Sequence, residues 1–148
     1  MKLSYFDSSV LLAILLDEKK QEEAYGYWQN SSKVSSILLK IETIIGLRRT
    51  YMKNKHLLKN NWLNNKTKIL EEYWNEVHFM ILDNTIEREI YLHKELAQCR
   101  SLDAIHIATA MQFKKINSNE DTYLYTFDES MHCLALQYNF KTNEINSR

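Results

Sequence analysis

Asp7, Glu42, Asp103 and Asp128 stand where acids that simply face water seldom stand. Most carboxylates of the chain fall in polar runs such as DEKKQEE and ILEEYWNE, whereas Asp7 directly follows LSYF and Asp128 directly follows TYLYTF. Glu42 lies in ILLKIETIIGLRR, with Leu38, Leu39, Ile45 and Gly46 one helical turn away, so an unpartnered charge there is costly. Asp103, in CRSLDAIHIATAM, shares a helical face with Cys99, His106, Ile107 and Ala110. Three or four carboxylates suffice to hold one or two hard divalent cations, Mg²⁺ or Mn²⁺, without thiols or imidazoles. Such ions polarise a phosphate, acidify a water and stabilise a leaving oxygen. The chemistry expected of this set is therefore phosphodiester hydrolysis by metal-activated water, with one acid also taking a proton. Without metal, the clustered carboxylates should repel and carry raised pKa values.

Each acid also has a plainer role. An aspartate after a strand caps the next helix, Asp103 in a first turn meets the positive end of the helix dipole, and Arg48 or Arg49 offers Glu42 an ion-pair partner. His106 is expected to be a core histidine rather than a proton shuttle. Two strand-end acids together with two semi-buried helical acids make four coincident plain roles a weak account.

The elements that must position them alternate strand and helix. Leu3–Phe6 is predicted as a strand, followed by a Ser8/Ser9 cap and a helix through Leu16. A helix is expected over Glu18–Gln29, a short strand around Val34, and a helix from Ile37 introduced by Ser35/Ser36. Tyr51 to about Glu76 is predicted to be helical, Val77–Leu82 a strand, and Thr85–Ala97 and Ser101–Phe113 helices. Thr122–Phe127 is β-rich, Glu129–Tyr138 helical, and a terminal strand is expected near Phe140. Strands alternating with helices imply a parallel sheet covered on both faces, an α/β/α sandwich. Ligands in such sheets bind outside the carboxyl ends of the strands, the rim where Asp7 and Asp128 stand.

The chain has 148 residues, matching one domain over 1–148. It lacks proline, and its two glycines, Gly26 and Gly46, lie in helix-like stretches, which excludes a P-loop and a dinucleotide-binding loop. Cys99 and Cys133 are far apart and form no zinc pattern, as expected of free thiols in a reducing compartment. The apolar run Val10–Leu16, closed by Asp17 and Glu18, is far short of the roughly 20 residues of a spanning helix, so a soluble, cytoplasmic protein is expected. Nineteen basic residues balance nineteen acidic ones, less basic than a nucleic-acid binder usually is. Distribution offsets that average: Thr43 to Leu70 holds no acid but carries Arg48, Arg49, Lys53, Lys55, Lys59, Lys66 and Lys68, with Tyr51 and Trp62 among them. Such a stretch is suited to contact phosphates and stack bases, or else is a solvated helical face.

Four segments, YFDSSVLLAILLDE, VSSILLKIETIIGLRR, RSLDAIHIATAM and LYTFDESMHCLALQYNF, together resemble the PIN-domain ribonucleases, specifically the VapC-type toxins of toxin–antitoxin pairs. They occur in family order and span nearly the whole chain, and the L-D-A-x-H-x-A-x-A run is the most specific. The resemblance implies a PIN-like α/β/α sandwich with a central parallel sheet. It implies that Asp7, Glu42, Asp103 and Asp128 hold Mg²⁺ or Mn²⁺, supported by the hydroxyls of Ser9 and Thr126. It further implies cleavage of transfer or ribosomal RNA, with Arg48, Arg49, Lys53, Lys55 and Lys59 as candidate RNA contacts. A cognate VapB-type antitoxin and a homodimer complete the expectation. The aromatics Tyr25, Tyr27, Trp28, Trp62, Tyr73 and Trp74 are expected mostly to pack between helices, some lining an antitoxin groove. Two other readings stand beside it: a catalytically silent PIN-like module that binds protein or RNA, and a small α/β phosphatase. The second lacks the paired aspartate nucleophile, since Ser8 and Ser9 follow Asp7.

Overall fold

The computed structural model describes residues 1–16 and 19–144. Asp17 and Glu18, where the first apolar run was expected to close, lie outside the described residues. The described chain runs β1 (Lys2–Phe6), α1 (Ser8–Leu15), α2 (Gln21–Gln29), β2 (Ser31–Ser36), α3 (Ile37–Asn54) and α4 (Trp62–Trp74). It continues through β3 (Val77–Met80), α5 (Asn84–Leu92), a 3₁₀ turn (Lys94–Gln98), α6 (Ser101–Ile116), β4 (Thr122–Tyr125) and α7 (Glu129–Gln137). The four strands form one sheet in the order β3-β2-β1-β4, and every pairing is parallel.

Alternation along the strands builds both halves of the core, because successive strand side chains point to opposite faces. Tyr5 and Leu124 enter a cluster with Ile86, Leu96, Ile107, Met111 and Leu134, beneath α5, α6 and α7. Phe6 and Tyr125 enter the opposite cluster with Val10, Leu11, Trp28, Leu39, Leu47 and Leu70, beneath α1 to α4. The result is the expected α/β/α sandwich. Trp28 is 1% exposed and packs on Phe6 at 4.9 Å between ring centroids. Packing between elements is likewise the fate of Tyr27, Tyr73 and Trp74, whereas Tyr25 stays largely exposed.

The order of strands sets the site. The chain moves from β1 to β2 to β3 in one direction and then places β4 on the other side of β1. The direction reverses between β1 and β4, and a crevice opens there at the carboxyl ends. Asp7 follows β1 directly, while Thr126 and Phe127 separate β4 from Asp128. Close packing of α1 on α3 is allowed by Gly46, where an added Cβ would stand 2.7 Å from a methyl of Leu12.

Several elements differ from expectation only at their ends: α2 begins at Gln21, β3 ends at Met80, β4 at Tyr125 and α6 at Ile116. Three differ in kind. The helical stretch expected over Tyr51–Glu76 is divided between two helices, the end of α3 and α4. Leu57 and Leu58 both donate to the Asn54 carbonyl, and the chain turns back before Trp62. Residues 54–61 offer almost no apolar stripe to bury, whereas reversal brings α4 onto α3, with Trp74 Nε1 donating to Thr43 Oγ1 at 3.2 Å. The helix expected over Thr85–Ala97 stops at Leu92, and His93 leads into the 3₁₀ turn. The terminal strand expected near Phe140 is a single parallel bridge between Tyr123 and Lys141. Asn139, at φ 64°, ends α7 in a left-handed turn, with Phe140 N donating to Ala135 O and Asn139 N to Leu136 O. That turn sends the last described residues back along β4.

Candidate active site

Two of the four acids, Asp7 and Asp128, are themselves helix caps. Asp7 is the N-cap of α1, as its plainer reading had it and in place of the expected Ser8/Ser9 cap, and its Oδ1 accepts from Ser9 N at 3.2 Å. Asp128 is the N-cap of α7, and its Oδ1 accepts from Met131 N at 2.8 Å. Ser36 caps α3, which carries Glu42 a turn and a half further on, and Asp103 lies in the first turn of α6. Capping fixes where Asp7 and Asp128 stand and orients the helix of Glu42, whereas α6, which carries Asp103, begins without a side-chain cap.

Glu42, Asp103 and Asp128 open on one cavity of about 770 Å³, whose wall also carries Arg49, Arg100 and Ser130. Asp7 does not line the cavity; it is only 4% exposed and is joined to Asp128 through the Thr126 hydroxyl. Its Oδ1 accepts from Ser9 Oγ at 2.6 Å and its Oδ2 from Thr126 Oγ1 at 2.9 Å. The same Thr126 hydroxyl accepts from Asp128 N at 3.0 Å, and Ser9 Oγ accepts from Phe127 N at 2.9 Å. Two hydroxyls thus stitch the ends of β1 and β4 together through the carboxylate of Asp7. Both stand where the sequence suggested supporting hydroxyls.

The partner of Glu42 is neither Arg48 nor Arg49 but His106, whose Nε2 lies 2.6 Å from Glu42 Oε1. His106 Nδ1 lies 2.8 Å from the hydroxyl of Tyr5. At 1% exposure His106 is a core histidine, as expected, yet it also holds a carboxylate at the cavity wall. The α3 helix is less buried than its sequence suggested. Leu38, Leu39, Thr43 and Leu47 face inward, while Ile41 and Ile45 are largely exposed beside Glu42.

Charge is concentrated here against the preference of a low-dielectric surrounding. Burial pushes Asp7 from its ordinary 3.8 up to about 6; His106, Ser9 and Thr126 pull against that, and Glu42 adds to it. Asp103 is raised by burial, then by the charges of Asp128 and Glu42. The half-buried thiol of Cys99, on the same wall, is pushed up to about 11 by burial and by Asp103 and Asp128. For His106 burial opposes the charged form, but Tyr5, Glu42 and Asp7 hold its pKa up to about 10. A cationic imidazole between Asp7 and Glu42 is the arrangement these neighbours favour. Cys99 and Cys133 are both free thiols.

Three of the four acids thus line one cavity, and Asp7 is buried directly after β1 and joined to Asp128 through Thr126. Among the described residues, no three His, Cys, Asp or Glu side chains close on a single point as a finished coordination sphere. Of the candidate RNA contacts, Arg49 lines the cavity, while Arg48, Lys53, Lys55 and Lys59 are exposed beyond it. Lys66 is engaged elsewhere, donating to the last-turn carbonyl of Leu15 at 2.6 Å. Tyr51 and Trp62 stack on each other, with ring planes 13° apart, across the α3–α4 reversal. Sequence reasoning missed Tyr5, a strand residue indistinguishable from core, and Asn143, which no motif marks.

The chain matches the family model of the PIN domain over residues 4–135. It belongs to the PIN-domain family, whose members are generally nucleases. A comparison with the curated proteins finds no match. Among the described residues no helix is long and apolar enough to cross a membrane.

Proposed function

We propose that this PIN-domain chain is a metal-dependent endoribonuclease that serves as the toxin of a toxin–antitoxin pair. The observation carrying the reading is the convergence of Glu42, Asp103 and Asp128 on one cavity beside a buried, proton-hungry Asp7. A donor set made only of carboxylates, each costly without a counter-charge, suits a hard divalent cation, Mg²⁺ or Mn²⁺. Asp7, Glu42, Asp103 and Asp128 would hold it, and when bound it would supply Lewis acidity toward a phosphate oxygen and offset the negative charge of the cleft.

The remaining work falls to side chains. His106 fixes Glu42 through Oε1, leaving Oε2 for the cavity and for a proton taken from an attacking water. Ser9 and Thr126 hold both oxygens of Asp7 in place. Arg49 and Arg100 on the cavity wall meet the phosphates of the substrate, whose charge the acids would otherwise repel. Beyond the cavity Arg48, Lys53, Lys55 and Lys59 extend the cationic path for a longer RNA. The VapC-type assignment rests on the four sequence segments. With it come a VapB-type antitoxin that covers the acidic cleft, a homodimer, and transfer or ribosomal RNA as substrate.

Purified protein incubated with total transfer and ribosomal RNA tests the reading, with Mg²⁺ or Mn²⁺, with EDTA, and beside an Asp7→Ala/Asp103→Ala variant. Discrete fragments that need both the metal and the acids support it. Intact RNA under every condition, with the substrate known to be in the pool, overturns it. That outcome would favour a second reading, a PIN-like binding module without catalysis. One observation points that way: the described acids do not form a closed metal sphere.

A further inference from the structure

The last described residues reach the acid site from outside the span that matches the family, which ends at residue 135. After the left-handed turn at Asn139, Lys141 lies against β4 as a one-residue extension of the sheet. Leu124 N donates to Lys141 O at 2.9 Å, and Lys141 N to Thr122 O at 3.1 Å. One more parallel step would have the Asn143 carbonyl accept from Thr126 N, as the Lys141 carbonyl does from Leu124 N. The side chain makes that step instead. Asn143 Oδ1 accepts from Thr126 N at 3.1 Å, and Asn143 Nδ2 donates to Thr126 O at 2.9 Å. The backbone carbonyl of Asn143 is turned away and accepts from His132 Nε2 at 2.5 Å.

Thr126 is the residue so gripped, and it is the hinge of the site. Its hydroxyl donates to Asp7 Oδ2 and accepts from Asp128 N. β4 has already ended at Tyr125, so among the described residues no strand pairing fixes the backbone of Thr126. Asn143 is 4% exposed and Thr126 is fully buried, so both of these amide-to-peptide bonds form out of water, where a lost partner is not replaced. The side-chain amide offers an acceptor to the Thr126 N–H and a donor to the Thr126 C=O from two separate atoms, whereas an ionised carboxylate offers acceptors only.

We propose that Asn143 is a positioning residue for the acid site: by clamping the backbone N–H and C=O of Thr126 it aims one hydroxyl at Asp7 and Asp128 together. This inference rests on the reading of the site as a cation site. Partners one shell out from a metal commonly change its affinity by about 10- to 100-fold when removed. Thr126 stands in that shell and Asn143 one further out, so Asn143→Ala should weaken Mn²⁺ binding by up to roughly tenfold, the low end of that range, at temperatures where the variant is still folded. Thr126→Val, which removes the hydroxyl and keeps the shape, should do the same. Because the first acts through the second, the double variant should bind Mn²⁺ about as well as either single one.

Mn²⁺ titration followed by electron paramagnetic resonance, with a circular-dichroism melt of each protein, makes the test without any RNA. Ile86→Val, a core change in α5 away from the cavity, provides a variant that loses stability for an unrelated reason. Asn143→Asp keeps the acceptor for Thr126 N–H and loses the donor to Thr126 C=O, and it serves if the alanine variant does not fold. Weakened Mn²⁺ binding in the Asn143 variants, normal binding in Ile86→Val, and a non-additive double variant are the results expected. Asn143 variants that melt earlier but bind Mn²⁺ like the parent overturn the inference, as does strict additivity with Thr126→Val. A parent that binds no Mn²⁺ overturns the metal reading and this inference with it, which separates the two failures.

Discussion

Asparagine at position 7 should stabilise the metal-free protein while removing its function. Burial lifts the Asp7 carboxyl from 3.8 to about 6. Each pKa unit corresponds to about 1.4 kcal/mol, so keeping the carboxylate ionised in the folded protein costs about 3 kcal/mol. Asp7 is almost entirely buried, so little of this is screened by solvent. The sign follows from linkage. The folded state holds this proton more tightly than the unfolded chain, so stability is highest below the unfolded value and falls as pH climbs through about 4 to 6. Above that window the loss is complete and constant. Asp7→Asn escapes it, but the amide must turn the Thr126 hydroxyl from donor to acceptor, at a cost of about 1 kcal/mol. A net gain of about 2 kcal/mol remains, worth roughly 4–8 °C in a chain of this size. Thermal melts in EDTA should show the variant above the parent near about pH 7.5, with the gap closing or reversing near about pH 4. Added Mn²⁺ should raise the parent and leave the variant unmoved. A gap that does not change with pH, or a variant as destabilised at neutral pH as in acid, would refute this reasoning.

Other substitutions separate roles that the geometry combines. His106→Gln removes the buried cation between Asp7 and Glu42, and melts should register a loss of about 3–5 kcal/mol, partly restored by Mn²⁺. Asp128→Asn keeps an acceptor for the α7 cap but loses the charge, so Mn²⁺ affinity should fall with little change in melting temperature. Asp128→Ala should lose the affinity and also about 1 kcal/mol of helix capping. The triple change Lys53→Ala/Lys55→Ala/Lys59→Ala should reduce the slope of log affinity against log salt by about 2 for a single-stranded RNA, read by fluorescence anisotropy. An unchanged slope would assign those lysines to a solvated face.

The layered fold was legible because two different periodicities run through the chain. Tyr5/Phe6 and Leu124/Tyr125 alternate between the two halves of the core, and helical stripes such as Leu38, Leu39 and Leu47 fill the spaces between. The four acids were legible as misfits, since Glu42 and Asp103 interrupt apolar helix faces and Asp7 and Asp128 end apolar strands. What escaped were partnerships between distant residues. Glu42 and His106 are 64 positions apart, and Asn143 meets Thr126 across 17. Nothing in local spacing chooses His106 over the nearer Arg48 and Arg49 as the partner of Glu42; the fold makes that choice, because α3 and α6 cover opposite faces of the sheet and Glu42 and His106 reach each other at its rim. The reversal at residues 54–61 escaped for another reason. Its residues have fair helix propensity, and only the tertiary gain of laying α4 on α3 breaks them apart.

The chemistry of the cut ends tests the central claim most directly. If the acids serve to activate water, an RNA cut in Mn²⁺ carries a linear monophosphate at one side of the break, and a 2′-deoxy sugar at the scissile position is still cut. A 2′,3′-cyclic phosphate, loss of cleavage on 2′-deoxy substitution, or undiminished cleavage in EDTA would mean that the ribose hydroxyl attacks, and would contradict hydrolysis at this carboxylate site.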